Sequence, residues 1–201
     1  MKTKLIYVIA LVLFVQIGKA QTFGIKGGLN FANLVYSGGG STQTDKAITG
    51  IHIGPVLDIP LQGSFNFNTG LLFSMKGSKA EGVNGYTATI NYLDVPLNLA
   101  YKFAISEKSK FFIQAGPNLS YALSGKVKSD GVSEIIKFGS GVDESKRFDI
   151  GLGFGAGVEF GSIVASVNYQ LGLADLDNYT DSKTKSKVFQ ISLAYMFAAK
   201  K

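Results

Sequence analysis

His52 is the only histidine in this chain, and there is no cysteine. A serine, that imidazole and an acid are one set that could do nucleophilic chemistry here. Ser124 and Asp149 are the partners that could lie at a similar height to His52 across the barrel. Such a set works only in mutual hydrogen-bond contact, and no spacing in this sequence enforces that contact. A lone histidine serving in a polar network is the simpler account. Asp175, Asp177, Asn178 and Asp181 cluster oxygens of the kind calcium accepts, but the glycine turn and closing glutamate of an EF-hand are missing. A solvated loop is expected there. Gly151, Gly153 and Ala156 match the spacing of a dinucleotide-binding turn, yet Glu159 continues a strand pattern where a helix should begin, so the match is fortuitous. No catalytic residue, metal or cofactor is assigned.

The elements that hold these residues are read from a repeated alternation. Between Ile163 and Leu173, Ile163, Ala165, Val167, Tyr169 and Leu171 share one face while Ser166, Asn168 and Gln170 share the other. A period of two puts the two sets on opposite sides of a β-strand. Seven further segments behave alike: 23–34, 49–59, 65–76, 90–103, 110–123, 148–160 and 187–197. Connections after the second, fourth and sixth (Leu61 to Ser64, Ala104 to Ser109, Gly161 to Ser162) are short, and the others are long, polar and glycine-rich. Short turns at one end and long loops at the other are the mark of outer-membrane barrels. The expected fold is all-β: an eight-stranded antiparallel up-and-down transmembrane β-barrel. A soluble barrel with its apolar face inward is the competitor, but the polar faces carry mostly Gly, Ser, Asn and Gln, too few charges for a water-facing surface. Aromatics toward the strand ends, such as Phe23, Phe103, Phe160 and Phe197, would form girdles at the two membrane interfaces.

Residues 1–20 read as a cleaved signal peptide, with Lys2 and Lys4 before an apolar run and Gly18-Lys19-Ala20 at the cleavage site. The run is shorter than the ~20 residues a spanning helix needs. Residues 21–201 then form one barrel domain. Losing Lys2, Lys4 and Lys19 lowers the formal charge from +6 to +3, and no basic run is interleaved with aromatics, so no nucleic-acid partner is expected.

With odd residues against lipid, the interior receives Lys26, His52, Asp58, Lys76, Asp94, Lys102, Asp149 and Glu159, together with Asn30, Asn98, Gln114, Asn118, Asn168 and Gln190. Eight strands leave an interior just wide enough for side chains to fill. Because an unpaired buried charge is costly, a paired network that plugs the lumen is expected, with a narrow or gated polar pore as the alternative. Gly151, Gly153, Gly155 and Gly157 face inward too, either making room for large neighbours such as Tyr92 or Lys76 or walling a small ligand cavity.

Four segments resemble a known family. Phe23-Gly24-Ile25-Lys26-Gly27-Gly28-Leu29-Asn30-Phe31, Tyr92-Leu93-Asp94-Val95-Pro96-Leu97-Asn98, Ala115-Gly116-Pro117 and Leu193-Ala194-Tyr195-Met196-Phe197 are similar to the PorT-like outer-membrane β-barrel proteins of Bacteroidota. Ala198 to Lys201 extend beyond the aromatic at which such barrels usually stop. The resemblance implies a bacterial outer-membrane location and no chemistry; one family member is linked to type IX protein secretion. Expected partners are outer-membrane lipid and an envelope or extracellular protein met through loops 125–147 and 174–186, on a monomer. Ile135, Ile136 and Phe138 either belong to that contact surface or extend a hairpin past the membrane. The function expected is non-enzymatic and structural or interaction-based. Narrow porin-like transport or an accessory role in secretion is the alternative, and a lipid-modifying enzyme is the third reading.

Overall fold

The computed structural model describes residues 21–80, 86–129, 131–141, 144–178 and 182–197. Residues 1–20, expected to be a signal peptide, and the four residues after Phe197 lie outside that set. Eleven strands follow in chain order. They are β1 (Thr22–Gly38), β2 (Ser41–Thr44), β3 (Lys46–Pro60), β4 (Phe65–Gly70), β5 (Leu72–Lys79), β6 (Thr87–Ala104), β7 (Ser109–Ser129), β8 (Val132–Ile135), β9 (Phe148–Phe160), β10 (Ile163–Gly172) and β11 (Ser182–Met196).

Among the described residues every pairing between these strands is antiparallel, and the pairings return to their start. β1 pairs β3, β3 pairs β4 and β5, and both pair β6. β6 then pairs β7, β7 pairs β9, β9 pairs β10, β10 pairs β11, and β11 pairs β1. With β4 and β5 acting as one broken strand, the ring has eight members. β2 and β8 are short hairpin extensions on β1 and β7 at the long-loop end. The third strand expected from the sequence is thus interrupted at Leu71, whose N–H bonds Pro55 O at 3.0 Å outside the ladder. Two of the three tight turns at the other end use glycines in the left-handed region, Gly63 (φ 65°) and Gly161 (φ 57°), where a β-carbon would be strained.

The faces divide by parity. On β11, Phe189, Ile191, Leu193 and Tyr195 look outward while Val188, Gln190 and Ser192 are buried. Leu193 is 63% exposed and Ile53 52%, so the exterior of the ring is apolar; the interior is where Asn30, His52, Asp94 and Asn118 are buried. That is the reverse of a soluble barrel. Outward rings meet at the short-turn end, stacked in Phe23–Phe197 (5.7 Å) and edge-to-face in Phe65–Tyr101 (5.0 Å), and Phe31 meets Phe189 toward the other end (6.3 Å).

The register shifts at two places, between Ala47 and His52 where β3 pairs β5, and where β6 pairs β7. Asn91 pairs Ser124 but Tyr92 pairs Ala122, so Leu123 is an extra residue and β7 carries a bulge. Beyond it the facing inverts: Ser124 and Lys126 are exposed and Gly125 is buried.

A lysine at an outward mid-strand position should be expensive. Val167→Lys and Leu152→Lys are each expected to cost about 2–4 kcal/mol in lipid. Ser166→Lys, at a buried inward position, should act through packing and charge instead. Reversible unfolding in lipid vesicles measures all three, and equal effects would refute the facing.

Candidate functional site

The interior is a stack of polar layers. In the middle, the Lys76 ammonium reaches Asp94 Oδ1 at 2.8 Å and Oδ2 at 2.7 Å, donates to Ser120 Oγ at 3.2 Å, and lies 5.1 Å from the Tyr92 ring centroid. All four residues are buried. Level with this pair, Asn30 donates to Ser74 Oγ (2.9 Å) and accepts at Oδ1 from Gln190 (2.9 Å) and His52 Nδ1 (2.8 Å). An amide oxygen only accepts, so Nδ1 carries the imidazole proton, and Nε2 accepts from the Ser192 hydroxyl at 2.9 Å. Gly28 permits this packing, because a β-carbon there would come within 2.8 Å of His52 Cε1 and 2.0 Å of Ile191 O.

Nearer the short-turn end, Lys102 bridges Asp58 and Glu159, and Asn66 donates to Asp58 Oδ1 at 2.8 Å. Between the layers, Asn68, Gln114 and Asn168 bond in series across the lumen (3.1 and 2.6 Å). Lys26 faces a cavity of about 70 Å³ shared with Asp58, Asn98, Gln114 and Glu159, and it makes no ion pair among the described residues. That space would hold about five waters.

At the long-loop end Asp149 accepts from Ser186 Oγ at 2.8 Å. Above it two long loops fold against the strand ends. β8 extends the hairpin past the ring, leaving Ile135 84% exposed, but Ile136 and Phe138 turn back in against Ile90, Tyr92 and Ala122. Arg147 covers this cap, 5.0 Å from the Phe138 centroid, and donates to Ala122 O at 3.1 Å. The fourth long loop clamps the third. The Asn178 amide donates to the carbonyls of Gly139 (3.2 Å), Gly141 (2.9 Å) and Glu144 (2.8 Å), and Lys146 bonds Asp177 O beside Asp175 (3.7 Å). Partial burial pushes the Asp175 carboxyl up, but the N–H groups of Thr184 and Asp177 and the charge of Lys146 outweigh it and hold the group below the ordinary aspartate range.

Several sequence expectations change here. Ser124 is on the outer face of the bulge, bonded by Asn91 at 3.1 Å, so it is not a partner of His52, and Asp149 belongs to a different layer. The hydroxyl on His52 is Ser192, and its other contact is an amide, Asn30, in place of a carboxylate. Ser192 was overlooked because it is one of several inward serines with nothing in its neighbourhood to mark it. The inward glycines make room for Phe112 and Asn168: a β-carbon on Gly157 would come within 2.5 Å of the Phe112 ring, and one on Gly155 within 2.0 Å of Asn168 Oδ1. Among the loop oxygens, Asp175 and Asp177 are occupied by Thr184, and Asp181 lies outside the described residues.

A closed antiparallel ring, apolar without and polar within, defines an integral outer-membrane β-barrel. The chain belongs to the outer membrane protein beta-barrel domain family, whose sequence profile matches residues 19–178. Its place is the bacterial outer membrane. OprG of Pseudomonas aeruginosa shares the fold at 15% identity and TM-score 0.51, over 90% of this chain and 97% of that one. Neisserial surface protein A follows at 14% and 0.50, over 87% and 97%. Ail of Yersinia pestis, solved with the heparin analogue sucrose octasulfate, gives 18% and 0.45, over 88% and 99%. No curated protein matches the chain in sequence.

The middle pair makes a sharp test. Removing one partner, by Lys76→Met or Asp94→Leu, should cost about 3–5 kcal/mol, whereas the double replacement should recover most of it. A double-mutant cycle by denaturant unfolding in lipid reads this. Additive losses would contradict the pairing.

Proposed function

We propose that this protein is a non-enzymatic, monomeric envelope barrel with a closed lumen, acting through structure or through contacts of its extracellular loops. One observation carries the reading. Side chains cross the interior in successive bonded layers, and Ile136 and Phe138 seal the outer mouth. The third and fourth long loops, 125–147 and 174–186, are tied to each other by Asn178 and Lys146, which gives a shaped surface suited to a protein partner. A monomer is favoured because the ring strands use both edges on one another, leaving none to recruit a second copy. Residues 1–20 serve as the cleaved export signal, and 21–201 as the barrel.

Catalysis is disfavoured because the Ser192–His52 pair is buried and backed by Asn30, so neither a substrate path nor an acid is provided. A second reading, a narrow pore or a PorT-like accessory to secretion, is favoured only by the Lys26 cavity, a polar chamber toward the short-turn end.

Reconstitution in planar bilayers decides between the two. The folded protein should produce no conductance steps, and Lys76→Ala with Ile136→Ala and Phe138→Ala should begin to leak. Steps from the unmodified chain would overturn the closed-lumen reading in favour of transport.

A further inference from the structure

The charges on the ring strands are sorted by face and by height. Asp58, Asp94, Asp149 and Glu159, the carboxylates on those strands among the described residues, all point inward. The outward lysines sit at the long-loop end. Lys183, Lys185 and Lys187 follow one another on the outer face of β11, continuing the row Phe189, Ile191, Leu193, Tyr195. Lys126 and Lys128 occupy the corresponding end of β7, turned outward by the bulge at Leu123, and Lys79 that of β5. The opposite rim is aromatic, with Phe23, Phe65, Tyr101 and Phe103; of its lysines, Lys108 lies in a turn and Lys110 stands opposite the inward Glu159.

The β11 lysines have no acid across the ladder. Lys187 stands opposite Asn33 and Leu171, Lys185 opposite Val35, and Lys183 opposite Ser37. Asp175 acts electrostatically on Lys183 from the loop above; Lys185 and Lys187 have no ion pair among the described residues. Successive outward positions on a strand are about 6.7 Å apart. At a tilt near ~45° each step rises about 5 Å, so Lys187 and Lys185 fall just beyond the Phe31–Phe189 girdle. The headgroup layer of a bilayer begins at that height and is about 5–7 Å deep. Long lysine stems can lie on the apolar wall while the ammonium reaches upward.

From this placement we infer that Lys183, Lys185 and Lys187 form a binding site for the phosphate groups of anionic outer-leaflet lipid. The lysines at the same height on β5 and β7 would extend that contact around the rim. The site also gives the barrel a vertical anchor on one side of the membrane only. It is separate from the lumen and adjoins the loop surface of the proposed function, since Lys183 and Lys185 lie at the root of loop 174–186.

The test uses the folded chain in non-ionic detergent, with heat-modifiable gel migration confirming folding and native mass spectrometry counting retained lipid. The probes are a diphosphorylated lipid A, phosphatidylcholine and inorganic phosphate. The unmodified protein should retain lipid A over phosphatidylcholine and should not release it to a large excess of inorganic phosphate. K183Q/K185Q/K187Q should lose about fivefold in retention per lysine. The corresponding triple arginine variant should keep it, and K110Q at the opposite rim should change nothing. If the triple glutamine chain does not fold, K185Q/K187Q supplies the same readout. Equal retention of lipid A by the glutamine variants, or its displacement by inorganic phosphate, would overturn the assignment.

Discussion

A backbone N–H or C=O has no water to turn to inside hydrocarbon, and this single constraint organises the molecule. It requires the sheet to close, and the register from β1 through β11 and back to β1 closes it. Once closed, a strand can present only two faces. Parity then decides what meets lipid and what meets the axis, so Ile191 and Gln190, neighbours in the chain, live in opposite environments.

Closure at eight strands brings a second constraint. The interior is narrow, and whatever is placed there is desolvated. An unpartnered charge is costly there, and most of the interior polar side chains satisfy one another. Lys76 with Asp94, Lys102 with Asp58 and Glu159, and His52 with Asn30 and Ser192 solve that problem layer by layer. Glycines at 28, 155 and 157 supply the space these side chains require. Bonded layers across the interior therefore follow from size and chemistry together, with a cavity left beside Lys26.

The ring was legible in the sequence because its physics is local. Alternation of two, turn lengths and the position of aromatics each depend on residues close together in the chain. The interior was legible only as a set of inward positions. Which carboxylate meets Lys76 depends on register and stagger, and those arise only when distant strands pair. The bulge at Leu123 left no mark in the local pattern, since Leu123 and Ser124 read as the ordinary end of an alternating strand, and it reversed the facing of Ser124. Ile136 and Phe138 sit in a polar loop, and nothing nearby says that they fold back over Tyr92.

The division of faces is tested most directly by site-specific labelling, for which the absence of native cysteine is convenient. Single cysteines placed at 164 through 170 on β10, each carrying a fluorophore in the vesicle-embedded protein, would be read for quenching by brominated lipid chains. The account requires strong quenching at 165, 167 and 169 and little at 164, 166, 168 and 170. Uniform quenching along the strand, or the opposite alternation, would contradict it.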